Sequence, residues 1–152
     1  MTKLMKAQLI QYLFFAVVCS WFGATAVHAI DDSSPIGLWK GDDATFEMFE
    51  SAGKLSAKIV ALSQPKTSEG KEKTDIHNPD PTKRNHPIIG LVFICGFAKK
   101  SATRWENGTI YDPHDGKTYS CSMDLQGPNK IKVRGFIGVD LLGRDYIWSR
   151  VN

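Results

Sequence analysis

From residue 36 onward an alternation of period two runs through almost the whole chain, and it constrains the fold more than any other feature. Successive side chains of a strand point to opposite faces, so apolar residues at every second position mark a sheet with one buried face. Phe46 and Met48 alternate with Thr45 and Glu47, and Leu55, Ala57 and Ile59 alternate with Ser56 and Lys58. Tyr119, Cys121, Met123 and Leu125 alternate with Ser120, Ser122 and Asp124, and Ile131 and Val133 alternate with Lys132 and Arg134. Turn chemistry separates these runs, at Gly41-Asp42-Asp43, Ala52-Gly53, Asp112-Pro113-His114-Asp115-Gly116 and Gly127-Pro128-Asn129. In the turn at 112–116 the proline presets φ for a type I turn, and the final glycine supplies the left-handed residue that restarts the strand.

Eight strands are expected, near 36–40, 44–50, 54–62, 88–98, 104–111, 117–125, 130–137 and 143–151. Short connections make most neighbours antiparallel hairpins. A sheet of this kind removes its exposed edges by closing on itself. The fold class is therefore all-β, a single antiparallel β-barrel of about eight strands, with a two-sheet β-sandwich as the alternative. Strand 88–98 reads as apolar on both faces, so it is central or covered on its outer side.

Residues 1–29 differ from the rest. Lys3 and Lys6 precede an almost wholly apolar stretch at 9–22, and Val27 and Ala29 stand at the −3 and −1 positions of a signal-peptidase site. The stretch is about 14 residues long, shorter than the ~20 of a membrane-spanning helix. Val18 is bulky for a residue preceding a lipidated Cys19, which disfavours a lipid anchor. The chain is thus divided into a signal peptide at 1–29, cleaved after Ala29, and a barrel domain at 30–152. Periplasmic or extracellular localisation follows, with no stable membrane insertion after cleavage. The part after Ala29 holds 17 basic and 16 acidic residues, a balance too even for a nucleic-acid binder.

One connection breaks the pattern of short turns. The long loop at 64–87 holds four prolines, many charges and few apolar residues. Structureless loops longer than ~12–15 residues are usually functional or disordered. Its first half, 66–73, reads as solvated, mobile chain. Its second half, Asp75-Ile76-His77-Asn78-Pro79-Asp80-Pro81, is rich in Asx residues and prolines that favour defined turns, and is expected to pack near a barrel mouth.

Gly37-Leu38-Trp39 opens the first strand and Arg150 closes the last. This resembles the first-strand Gly-x-Trp and last-strand arginine of lipocalin-type barrels, and the resemblance implies a structural pair in which Trp39 plugs a closed end beneath the Arg150 guanidinium. A wider set of motifs follows: Asn78-Pro79-Asp80-Pro81 with Arg84, Pro87-Ile88-Ile89-Gly90-Leu91, Trp105-Glu106-Asn107-Gly108-Thr109-Ile110-Tyr111-Asp112-Pro113, Asp115-Gly116-Lys117-Thr118-Tyr119, Val133-Arg134-Gly135-Phe136-Ile137-Gly138, Leu142-Gly143-Arg144 and Trp148-Ser149-Arg150. In order and spacing these resemble the secreted bacterial family catalogued as domain of unknown function 2147. The resemblance implies a signal peptide, an all-β domain and no assigned activity, so it supplies no catalytic residues. The segment after Gly90 departs from the pattern, with Cys95 and the basic pair Lys99-Lys100.

The chemistry-bearing residues select no reaction. Asp75, His77, Asp80, His86, His114 and Asp115 are possible metal donors, but none stands at a recognised ligand spacing. There is no Gly-x-Ser-x-Gly elbow, no cofactor motif, and Cys95 and Cys121 fall in apolar runs where thiols act as small hydrophobes. In a simple meander a strand separates these two cysteines, which favours two buried thiols over a disulfide; the bridge stays open as an alternative. The candidate binding cluster is Asn78, Asp80, Arg84, Trp105, Tyr111 and Arg134, aromatics beside charged groups as in a pocket with a few orienting contacts. A purely structural reading pairs Asp80 with Arg84 and places Trp105 and Tyr111 in the core. The leading functional expectation is non-enzymatic binding of a small amphipathic molecule or envelope component, entering at the end guarded by 75–87. The alternatives are a solid barrel serving as a protein-interaction module, and an envelope-polymer hydrolase using paired carboxylates drawn from Asp80, Asp112 and Glu106, one with a raised pKa.

Overall fold

The computed structural model describes residues 34–138, 141 and 143–151; the expected signal segment and its cleavage site lie outside them. Eight strands follow one another in chain order: β1 (Gly37–Lys40), β2 (Ala44–Ser51), β3 (Lys54–Leu62), β4 (Val92–Lys99), β5 (Arg104–Asp112), β6 (Lys117–Leu125), β7 (Lys130–Phe136) and β8 (Arg144–Arg150). Each pairs antiparallel with the next, and β1 pairs with β8, so the sheet closes into a barrel. The sandwich alternative is thereby set aside. Inward positions are the apolar members of each alternation: Phe46 and Met48, Leu55, Ala57 and Ile59, Cys121, Met123 and Leu125, Ile131 and Val133 are all buried.

The two-faced apolar strand expected at 88–98 is corrected. β4 begins only at Val92, because Gly90 takes a left-handed φ of 97° and the chain turns there. Two irregularities in the β3–β4 pairing then break the alternation: Lys58 faces Val92, Ala57 faces Ile94 and Leu55 faces Phe97. An extra residue in a bulge shifts the side-chain phase. Phe93 and Ile94 are therefore both buried, as is Phe97, and the surplus apolar residues fill one interior rather than two faces. The same bulge turns Cys95 out to solvent, so only Cys121 is the buried thiol expected; both are free. Burial pushes the Cys121 thiol up to about 12.

The strand directions give the barrel two unlike ends. At one end lie the short connections β2–β3, β4–β5 and β6–β7 together with the segment entering β1. Trp39 is fully buried there and donates from Nε1 to the Pro35 carbonyl at 2.8 Å. The Arg150 guanidinium carbon stands 4.3 Å from the Trp39 ring centroid, a cation–π distance. Its nitrogens donate to the carbonyls of Ser34 at 2.6 Å, Ile36 at 3.0 Å and Pro128 at 2.6 Å. One side chain thus ties the entering segment and the β6–β7 turn to the last strand. At the other end lie the turn at 41–43, the long β3–β4 connection, the 113–116 turn and the connection after β7.

Candidate functional site

The long connection is held by its own polar groups. Contrary to the mobile chain expected at 66–73, that half folds back as a small ladder: Lys66 bridges Glu72, and Thr67 N–H donates to the Lys71 carbonyl at 2.8 Å. The second half is centred on Asp75, whose side chain is shielded from water (1% exposed). Its two carboxylate oxygens accept from the Tyr111 hydroxyl and the Asn78 side-chain amide, each at 2.7 Å. Tyr111 belongs to β5, so this contact fastens the loop to the barrel wall. Burial, then the Asp75 carboxylate, raises the Tyr111 phenol to about 12. Nearby, the 113–116 turn packs against the loop backbone. Gly116 has φ 71°, and a Cβ there would fall 2.0 Å from the His77 carbonyl oxygen, so only glycine fits.

Beneath these loops the barrel is hollow. A space of about 1620 Å³ opens to solvent between the 41–43 turn, the long loop, the 113–116 turn and the upper part of β8. Phe46, Phe93 and Trp148 form its floor, with ring centroids 4.6 Å apart for Phe46–Trp148, 4.8 Å for Phe46–Phe93 and 6.1 Å for Phe93–Trp148. Ile59, Ile110 and Gly135 line the wall. Gly135 follows Ile131 and Val133 on the inward side of β7, and a Cβ built there would meet nothing nearer than Ile110 at 3.6 Å. An inward glycine in a strand leaves a place for something else to approach. The rim is polar: Asp112, His114, Asp115 and Tyr119 stand on one side of it. Tyr119 donates a short hydrogen bond to Asp115, which raises the phenol to about 12 and holds the Asp115 carboxyl below its usual range.

The six residues singled out from sequence are not gathered here. Only Tyr111 lines the space. Asn78, Asp80 and Arg84 build the loop instead: Asp80 N–H donates to Asn78 Oδ1 at 2.9 Å, Thr82 donates to Asp80 Oδ1 from its amide at 3.0 Å and its hydroxyl at 2.7 Å, and Arg84 Nε donates to the Asn78 carbonyl at 2.9 Å. The Asp80–Arg84 ion pair is corrected to Asp80–Lys83, at 3.5 Å. Trp105 is buried at the opposite end of the barrel, where it lines a separate space of about 260 Å³ with Phe97 and Lys99. Arg134 lies on the outer side of β7, where its guanidinium pairs with Asp145 at 2.6 Å and donates to the Leu141 carbonyl at 3.2 Å.

Two of the three acids offered for hydrolysis, Asp80 and Glu106, are shifted the wrong way for that role. The Thr82 hydroxyl and amide hold the Asp80 carboxyl below its usual range. Glu106 is likewise lowered by Arg104, whose Nε lies 2.8 Å away. Among the described residues no three His, Cys, Asp or Glu side chains converge as a metal site.

Reading the sequence missed the aromatic floor, Gly135 and the anchoring role of Asp75. Gly135 carried a usable signal, an inward glycine within an otherwise bulky alternation. The floor carried none, because Phe46, Phe93 and Trp148 lie on three strands far apart in sequence.

Eight antiparallel strands in simple order, a tryptophan–arginine stack at a closed end and an open, hollow opposite end define a lipocalin-like barrel. More particularly, residues 37–150 match the family described as "Uncharacterized protein conserved in bacteria (DUF2147)", and the chain belongs to that family. Protein HP1028 from the human pathogen Helicobacter pylori, described as belonging to the lipocalin family, is similar in structure. Its TM-score is 0.69 at 23% identity, over 78% of this chain and 84% of that one, a likeness of fold. No curated protein matches the chain.

Proposed function

We propose that this is an exported, non-catalytic binding protein whose barrel takes up a small amphipathic molecule or an envelope component. The observation that carries the reading is the open space with an aromatic floor and a polar rim. Transfer of an apolar body from water onto Phe46, Phe93 and Trp148 is favourable by roughly 25 cal/mol per Å² buried, while a polar end stays among the rim groups. The hollow half of the barrel also counts against the solid-module alternative. Export is supported by the basic, apolar and small-residue segments before Asp31.

The test is a titration with Nile red, an uncharged lipophilic dye that brightens in apolar surroundings. The protein is expected to bind it. Gly135→Leu should push a side chain into the inner part of the space without a clash, since Gly135 has room for one, and should weaken dye binding by at least about tenfold. Unchanged dye affinity in a folded Gly135→Leu protein would place any binding elsewhere and end this reading.

A further inference from the structure

The charge around the mouth is opposite to that of the rest of the molecule. Six carboxylates line the space and its rim: Asp42, Asp43, Glu69, Glu72, Asp112 and Asp115. Only three fixed cations do so, Lys71, Lys73 and Arg144. The other described residues carry the reverse balance, fourteen lysines and arginines against seven aspartates and glutamates. Local pairing neutralises part of the rim, for Lys71 lies 2.9 Å from Glu69 and Lys117 lies 4.0 Å from Asp115. Asp42, Asp43, Glu72 and Asp112 have no ion-pair partner among the described residues. They come from the β1–β2 turn, the long β3–β4 connection and the end of β5, which meet at this opening, so negative charge stands on several sides of the entrance.

We infer that the cavity takes an amphipathic organic cation: an apolar body resting on the aromatic floor and a positively charged group held at the rim. This deepens the binding reading and rests on it. Two physical terms select such a ligand. A cleft lined by one sign of charge above low-dielectric walls focuses its field and concentrates ions of the opposite sign. The floor and the rim tyrosines, Tyr111, Tyr119 and Tyr146, line the space with aromatic rings, and such rings attract cations through the quadrupole. A bare metal ion would use neither the floor nor the volume. An anionic amphiphile would place its head among the unpaired carboxylates.

The experiment compares three amphiphiles of one alkyl chain length, below their micelle concentrations: the alkyltrimethylammonium, the uncharged alkanol and the alkyl sulfate. Quenching of intrinsic tryptophan fluorescence reports binding because Trp148 lies in the floor. The trimethylammonium compound is expected to bind about tenfold more tightly than the sulfate, with the alkanol between them and the spread narrowing as salt is raised. In a variant combining Asp42→Asn, Asp43→Asn and Glu72→Gln, all exposed positions, the ratio should fall towards one. Equal binding of all three by the unaltered protein, or preference for the sulfate, overturns the charge inference and leaves the binding reading in place. A preference that salt does not diminish also overturns it, and this arm needs no variant. Failure of all three amphiphiles and of Nile red to bind overturns both.

Discussion

The closed end of the barrel and the open end are made by the same eight strands, yet one is solid and the other hollow. Towards the closed end Trp39, Met48, Phe97, Met123 and Ile131 are fully buried and fill the interior. Towards the open end an inward position of β7 is Gly135, and Phe46, Phe93 and Trp148 lie as a floor rather than as a plug. Alternation decides which side chains face the interior; the size of each inward residue decides where it is full. The polar groups differ in the same way. At the closed end one guanidinium satisfies three backbone carbonyls. At the open end the long loop satisfies itself, through Asp75, Asn78, Asp80 and Arg84, and reaches the barrel through Tyr111. Stability is thus expected to reside in the first region, and ligand contact in the second.

The largest effect that would break this division is at Trp39. Trp39→Ala removes a fully buried indole, its Nε1 hydrogen bond and the surface on which Arg150 stacks. Truncations of this size in a core cost about 3–5 kcal/mol. Denaturant unfolding should show that loss, while Nile red affinity of the folded fraction stays near that of the parent. A weakened dye affinity with little change in stability would reverse the roles of the two ends. Arg150→Ala should cost less, about 1–2 kcal/mol, because the cation–π contact is lost but water replaces part of the carbonyl hydrogen bonding. Arg150→Lys should recover little of it, since a lysine lacks the planar fork that reaches Ser34, Ile36 and Pro128 together.

Most of the fold was legible because its determinants are local. Period-two runs and turn residues place seven of the eight strand starts within one residue of those observed. The exception, β4, fails for a physical reason: bulges at Phe93 and at Cys95–Gly96 are set by pairing with β3, and pairing partners distant in sequence leave no trace in the run itself. The Trp39–Arg150 neighbourhood was legible through resemblance, since β1–β8 closure is also long-range. The site was far less legible. Asn78, Asp80 and Arg84 drew notice as charged residues in an unusual loop, and they serve to shape it. Trp105 and Tyr111 are near in sequence but belong to opposite ends of β5, seven strand residues being enough to span most of the barrel's height. Whether an inward position is filled or vacant depends on what the other seven strands place opposite it, and Gly135 alone among the lining residues hinted at the answer.

Tyr111 gives the smallest effect and the sharpest view of the open end. Tyr111→Phe leaves Asp75 with Asn78 as its side-chain donor, at a cost of about 1 kcal/mol for one hydrogen bond. The effect should be local: amide exchange should quicken across 73–88 and leave β5, β6 and the closed end unchanged, whereas a uniform increase would mean that the loop is integral to the barrel's stability. The same contact predicts a pH dependence. An unperturbed tyrosine has a pKa of about 10, and in the folded protein Tyr111 is raised to about 12. A group whose folded pKa is raised contributes stability that is complete below its unfolded pKa and is lost as pH rises through the folded one. Loop protection should therefore persist to about pH 10 and fall between about 10 and 12, with tyrosinate absorbance appearing over the same interval. Tyr119 is raised to about 12 as well, by Asp115, so the measurement is made in a Tyr119→Phe background. Removing Tyr111 from that background should abolish the alkaline loss at 73–88; if the loss remains, Tyr111 is not what fastens the loop to the mouth.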